Sequence, residues 1–451
     1  MEPQKQIYLV HCVDTEGPMY EPLAATAERL WNTFGLKYDL TPDQLNRLQQ
    51  GYDIPDHLKE QVKEFVSQNR LSYKSSWTEI DEMVNELMDD RWRMQYADDF
   101  GQGYIFNWFI LDYVGFETNP RRRAFGFHAI FEHYQTMLQN NKRTDDRLYW
   151  HYHPVSFFLE AHKSCNNFSN SNLHLQIWAR RIIDHLHFPV AFRPGCHTER
   201  PDINLFLEQW IPFDFGNQGM KERQEDQLQQ DLAGGRYGDW RRAVDDWETY
   251  HPDFYDYQKK GTMKRYIARC LNLDARLRPI TEPEIERAFQ RADAGKPTIL
   301  AITNHDSREM RPAVDWFMKT VRAVQVRYPE VKIVHSNAVQ AIRRCENMPE
   351  ERPTELSFRW DQNWLFVTAD KPIWGPQPFL CFKTLDQRYY FENFDFQGDL
   401  SWSFVFDQET VRLDQLESIG VATNDNYGNT SVYVLSADQN LEKTRSRLYR
   451  G

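Results

Sequence analysis

Along the middle of the chain, short apolar runs alternate with amphipathic stretches, and that alternation limits the fold more than any other feature. The runs are Leu148–Trp150, Pro189–Phe192, Thr298–Thr303 and Val331–Val334, and helical patterns lie at Leu173–His185, Thr281–Ala294 and Arg308–Val326. Strands separated by helices pair mainly in parallel, in an open sheet or closed into a barrel. The stretch Ile7 to Val13, broken only by His11, has the near-continuous apolar character of a strand covered on both faces. In the last helix Val314, Phe317, Met318, Val321 and Val324 form one apolar stripe. Thr281-Glu282-Pro283-Glu284 reads as the capping box of the preceding helix, which Gly295 ends.

Two regions depart from this pattern. Pro22 to Asp99 is polar and helix-rich, with Thr41-Pro42-Asp43-Gln44 offering an N-cap, a first-turn Pro and a Gln to complete a capping box. Tyr104 to Val114 then reads as a strand, and Phe125 to Gln139 as a helix whose His128 and His133 are packing or surface residues. After Arg352-Pro353 the helices stop. Leu356–Trp360, Trp364–Thr368, Ser401–Phe406 and Ser431–Leu435 alternate apolar with polar between Gly, Pro, Asn and Asp clusters, an antiparallel sandwich pattern. The expected fold class is α/β: a catalytic domain over 1–350 with a helix-rich insertion at about 22–100, and an all-β domain over 351–451. A length of 451 residues exceeds the roughly 250–300 at which one core stops growing.

The net charge of −12 argues against nucleic acid as a partner, since that affinity rests on Lys and Arg neutralising phosphates. The six cysteines (Cys12, Cys165, Cys196, Cys270, Cys345, Cys381) are scattered, with no close pair, and read as reduced thiols. The most apolar segment, Tyr104 to Phe116, is interrupted by Asn107 and Asp112 and is too short to span a membrane. The first strand reaches Asp14 and Glu16 before a signal-peptide core could form, which makes a cytoplasmic location the expectation.

Four apolar runs end in polar residues: Asp14 and Glu16 after the first strand, His151 and His153 after Leu148–Trp150, Arg193 after Pro189–Phe192, and His305 with Asp306 after Thr298–Thr303. In parallel α/β folds that edge carries the site. In an extended His151-Tyr152-His153 both imidazoles face one side and Tyr152 the other, and Asp14 and Glu16 likewise share a side. Two His and a carboxylate, with a position left for water, constitute a catalytic zinc or similar divalent site, and the remaining carboxylate is free to act as a base. Cys12, beside two acids, is a poor nucleophile and reads as packing. His197, close in sequence to Arg193, is a candidate for reaching substrate or ion.

These clusters resemble the motifs of the polysaccharide deacetylases of the NodB type, carbohydrate esterase family four, and relatives that include cyclic-amide hydrolases. The resemblance runs from about Ile7 to Arg344, with the stretch after Pro22 looking like an insertion. It implies a distorted (β/α) barrel and a divalent metal cofactor, expected to be zinc. It implies Asp14 as catalytic base, Arg193 as its holder, His305 as general acid, and Glu16, His151 and His153 as metal ligands; beside them Tyr152 and His197 are the candidate substrate-binding residues. The departures are a Glu where the family often has Asp, and one residue between the two His where the commoner form has three, which brings His162 into consideration as a ligand. The family's aromatic-acid motif has three candidates: Asp239-Trp240, Asp246-Trp247 and the Asp214-Phe215-Gly216 region. The implied activity is hydrolysis of an amide bond, N-deacetylation of a sugar or polysaccharide precursor; the alternatives are a cyclic or other small amide as substrate, or a non-catalytic carbohydrate-binding protein.

Overall fold

The computed structural model describes residues 5–113, 127–153, 172–199, 201–220, 238–274 and 279–451. Phe125, Pro154, His162 and Cys165 lie outside the described residues.

Seven parallel strands close into a barrel: β1 (Gln6–Thr15), β2 (Phe106–Tyr113), β3 (Arg147–His153), β4 (Ala191–Pro194), β5 (Phe213–Asn217), β7 (Tyr266–Asn272) and β8 (Thr298–His305), with β8 returning to β1. A short β6 (Thr249–Tyr250) runs antiparallel to β7. β1 is forked. Its His11–Thr15 half pairs with β2, and its Gln6–Leu9 half with β9 (Lys332–His335). Asn107 sutures the fork, donating to the carbonyls of His11 and Ser336 at 3.2 and 3.3 Å and accepting from the N–H of Ala338 at 2.7 Å.

Side-chain alternation splits the barrel into two apolar layers. Ile7, Leu9, Val13, Trp108 and Ile302 face outward onto helices α5 (Trp77–Met88), α7 (Phe127–Asn140), α10 (Glu282–Asp293) and α11 (Arg311–Gln325). Val10, Cys12, Phe109, Tyr149, Phe213, Cys270 and Ala301 face inward and share a core with Ala338, Val339, Ala341 and Ile342 of α12 (Ala338–Cys345). The expected stripe on α11 is buried throughout.

Between β1 and β2 stand α1 (Leu23–Phe34), α2 (Pro42–Gln49), α3 (Lys59–Phe65), α4 (Gln68–Leu71), α5 and α6 (Asp90–Gln95). α1 to α3 enclose a small core of Leu30, Leu48, Val62 and Val66. Thr41 caps α2 as its sequence indicates, but the Gln44 side chain goes to Asp53 instead of closing a capping box. Thr281 makes no side-chain capping bond, and the Glu284 side chain that would complete the box turns inward to meet Arg269 at 2.8 Å.

From Leu356 two antiparallel sheets face each other. One has the order β10 (Leu356–Asp361), β11 (Trp364–Ala369), β15 (Ser401–Val405), β14 (Asp395–Gly398). The other has β13 (Tyr389–Glu392), β12 (Phe379–Thr384), β16 (Leu416–Asn424), β17 (Thr430–Ser436), β18 (Arg445–Tyr449). Leu365, Trp402, Phe404, Phe382 and Val421 fill the space between them. The outer face of the five-stranded sheet packs Phe379, Cys381 and Val434 on Trp178 and Ile182 of α8 (Leu173–His185). Gly420 permits that approach, since a Cβ there would collide with Cys381 and Ile182. Trp374 and Trp402 of this domain are buried, and Trp364 is exposed. No described helix is long and apolar enough to cross a membrane.

His11 and His335 are buried beside Tyr104, and burial above all pulls each from 6.5 to about 4. The unfolded chain therefore binds these protons at a higher pH than the folded one, so between 6.5 and about 4 stability falls as pH falls. The urea midpoint is expected to drop across that window. His11→Gln, which keeps a donor and an acceptor for Tyr104 and Asn304, should lessen the slope; an unchanged slope would exclude His11 as a contributor.

Candidate active site

The inward phase of each strand carries its last residue into the mouth of the barrel. Cys12 precedes Asp14 by two residues, Tyr149 precedes His151 and His153, Ala191 precedes Arg193, and Ala301 precedes Thr303 and His305. Asp14 and His305 are register partners between β1 and β8, as are His151 and Arg193 between β3 and β4. β3 continues through the His-x-His segment, which is why the two imidazoles share a side.

Arg193 grips Asp14 with two prongs, Nε to Oδ1 at 2.7 Å and Nη2 to Oδ2 at 3.0 Å, and its Nη1 donates to the Phe215 carbonyl at 2.6 Å. Thr303 adds a hydroxyl at 3.4 Å from Asp14 Oδ2. Burial opposes the Asp14 charge, but Arg193 and His151 outweigh it and hold the carboxyl well below the usual carboxylate range. The same pairing overcomes burial at Arg193 and keeps it cationic.

His151 Nδ1 lies 3.1 Å from the Arg193 carbonyl and 3.6 Å from Asp14 Oδ1. A carbonyl only accepts, so the proton sits on Nδ1 and Nε2 presents a lone pair. That Nε2 is 3.2 Å from His153 Nε2. Burial pulls His151 down to about 4, so the ring is neutral at physiological pH. His305, partly open to solvent, places Nε2 4.0 Å from both Asp14 Oδ2 and Glu16 Oε1. Glu16 is buried, and its backbone N–H is held by Asp306. Burial pushes the Asp306 carboxyl up to about 7 against the pull of its three donors.

After β4 the chain turns through Cys196 and His197 at φ 51° and 52°, left-handed values that non-glycine residues rarely adopt. Trp240 clamps the turn by donating from its indole to the His197 carbonyl at 2.7 Å, and the Gly238 N–H bonds the Cys196 carbonyl at 3.1 Å. His197 is half-buried within electrostatic reach of Arg193, Asp14, His305 and His151, and its buried Nδ1 has no hydrogen-bond partner among the described residues. Burial, with Arg193, drives it down to about 3. Gly195 lies against the His153 ring so closely that a Cβ would collide with it.

The structure thus gathers Asp14, Glu16, His151, His153, Arg193, His197 and His305. Tyr152 is the correction: strand alternation puts it outside the barrel, stacked on Trp150 with ring centroids 5.1 Å apart and packed near His174, away from any substrate at the mouth. Cys12 is buried, and burial raises its thiol well above the ordinary range. Of the aromatic-acid candidates, Trp247 belongs to the outer packing under Arg269, and Asp214 joins Arg265 beside Glu199, whereas Trp240 touches the turn beside the site. Thr303 and Tyr134 received no role from the sequence; Thr303 is recoverable from its alternation with His305, Tyr134 only from the fold.

The donor chemistry at His151 and His153 suits a divalent ion. Two nitrogens on one tetrahedral zinc, each at 2.0–2.1 Å, lie about 3.3 Å apart, and the two Nε2 atoms are at 3.2 Å. The Nδ1–H of His151 on a backbone carbonyl is the outer contact that such ligands make. Glu16 is the neighbouring carboxylate, although among the described residues no three His, Cys, Asp or Glu side chains are already closed into a cation cage.

No protein-family model and no curated protein matches the chain. A solved structure with partial likeness is an endo-beta-1,4-mannanase double mutant from Cellulomonas fimi, at 8% identity over 77% of this chain and 86% of that one, with a TM-score of 0.26. That level of likeness says nothing about shared activity.

Arg193→Ala leaves the Asp14 carboxylate buried without its partner, and the expected cost is about 3–5 kcal/mol of folding stability. The double variant with Asp14→Ala should lose less than the sum of the single losses. Urea unfolding of the four proteins measures the coupling, and simple additivity would show that the pair is not a unit.

Proposed function

We propose that the chain hydrolyses an amide bond, most specifically the N-acetyl group of a sugar or polysaccharide precursor, at the mouth of its barrel. The observation that carries this reading is the fork of Arg193 on Asp14, with His305 4.0 Å from the same carboxylate. A base fixed in its ionised form and an imidazole on the open side of it are the two proton-handling groups that amide hydrolysis requires.

Asp14 accepts the proton of the attacking water, and Arg193 keeps that carboxylate charged and oriented. His305 reaches both solvent and the carboxylates, and it delivers a proton to the departing amine. Glu16, His151 and His153 would hold a divalent ion, which when bound supplies Lewis acidity at the substrate carbonyl and at water. His197, neutral and half-buried, would hydrogen-bond substrate from the β4 side.

A second reading keeps the site and replaces the sugar by a cyclic or other small amide. It is favoured by the helical region after β1, which returns to the barrel rim: Met19 N–H bonds Lys74 O at 2.9 Å, and Lys74 N–H bonds Ser307 O at 2.8 Å, two residues past His305. A rim occupied on that side suits a small substrate.

Purified protein supplied with zinc and assayed on N-acetylated sugars beside cyclic amides is expected to release acetate and free amine from the sugars. Asp14→Asn should lower kcat by about 10²–10⁴-fold. Acetate release unchanged in that variant would overturn the base assignment, and turnover of cyclic amides alone would select the second reading.

A further inference from the structure

Asp306 follows His305 in sequence, but its carboxylate serves another strand. Oδ1 accepts the N–H of Glu16 at 2.6 Å; Oδ2 accepts the N–H of Gly17 at 3.1 Å and the hydroxyl of Tyr134 at 2.6 Å. The side chain is buried, so no solvent competes for these bonds. The pairing of β1 ends at Asp14 on the β8 side and at Thr15 on the β2 side, which leaves the next two N–H groups beyond the ladder. Gly17 turns left-handed at φ 68°, and the two successive N–H groups converge on one carboxylate, as a backbone nest does on an anion. Tyr134 ties the same carboxylate to α7, where its ring lies 5.1 Å from that of Trp108 on β2. One side chain from β8 therefore fixes the direction in which the chain leaves β1, and with it the direction of Glu16.

We infer that Asp306 is the positioning residue of the cation-holding carboxylate: it fixes the Glu16 backbone, and through it sets the affinity of the site for a divalent cation. It touches backbone N–H groups and a tyrosine, not substrate, so it is not a catalytic residue. The inference rests on the reading of Glu16 as a cation ligand given above. The shape of the contact explains why a carboxylate is required. All three neighbours donate, so an amide at this position would turn its NH2 group against a donor.

The test titrates zinc alone into the purified full chain by calorimetry, with thermal melts and hydrogen exchange of the peptide spanning Glu16 and Gly17. Wild type is expected to bind about one ion per chain. Asp306→Asn should bind about 10–100-fold more weakly while folded and exchange the Glu16 and Gly17 amides faster. Weaker affinity of the folded fraction is what separates positioning from a purely structural role, which would lower the melting temperature and leave that affinity alone. Tyr134→Phe, which keeps both backbone bonds, should show a smaller change in the same direction and provides the reading if Asp306→Asn does not fold. Unchanged affinity and unchanged exchange in a folded variant would overturn the inference. A wild type that binds no zinc while its Glu16 and Gly17 amides are protected by Asp306 would overturn the cation reading of Glu16, and the affinity claim with it, while leaving the backbone contact demonstrated.

Discussion

Arg193 and Asp14 meet across the lumen of the barrel, one from β4 and one from β1, with both side chains out of water. Neither charge is tolerable there alone, because burial in a medium of low polarity strongly disfavours an isolated ion. Their fork makes each the solvent of the other, and the third prong of Arg193, on the Phe215 carbonyl, anchors the pair to β5. His151 depends on this pair too, since its ring is oriented by the carbonyl of the same arginine. The tautomer that frees its Nε2 is therefore set by the residue that charges the base.

The barrel is held by different contacts below this pair and above it. Below it, the inward apolar layer and α12 fill the lumen, and Asn107 closes the fork between β1, β2 and β9 with three hydrogen bonds. Above it, each strand end is restrained by a group remote in sequence: β1 by Asp306 and α7, β4 by Trp240 and Gly238. The helices after β1 stand on the same rim, bonded to it through Lys74 and Ser307.

Much of this was readable from residue order alone. β1, β3, β8 and the stripe of α11 obey periodicity, and the two-residue phase that buries Cys12 also aims Asp14. β5 and β7 escaped notice because their apolar runs carry Asp214, Asn217 and Arg269, buried charges and amides that mark a loop when their partners are unseen. Those partners, Glu199 and Arg265 for Asp214 and Glu284 for Arg269, lie elsewhere in the chain. The capping box at Thr281 loses its Glu284 half for the same reason, since that carboxylate is claimed by a tertiary ion pair that no local motif reveals. Asp306 was visible as a neighbour of His305, but its role depends on where β1 ends, which only the folded register shows.

The turn after β4 carries this logic furthest. Cys196 and His197 both occupy left-handed backbone, a conformation costing about 1–3 kcal/mol for each such residue. The residue before them must be glycine, since a Cβ on Gly195 would collide with the His153 ring. Trp240 and Gly238 hold the tight form, and the outcome is a half-buried, neutral imidazole beside the charged pair, its Nδ1 unpartnered among the described residues. Two successive left-handed residues are strain that the surrounding contacts hold in place, since a turn free of those contacts would relax into the conformation its side chains prefer.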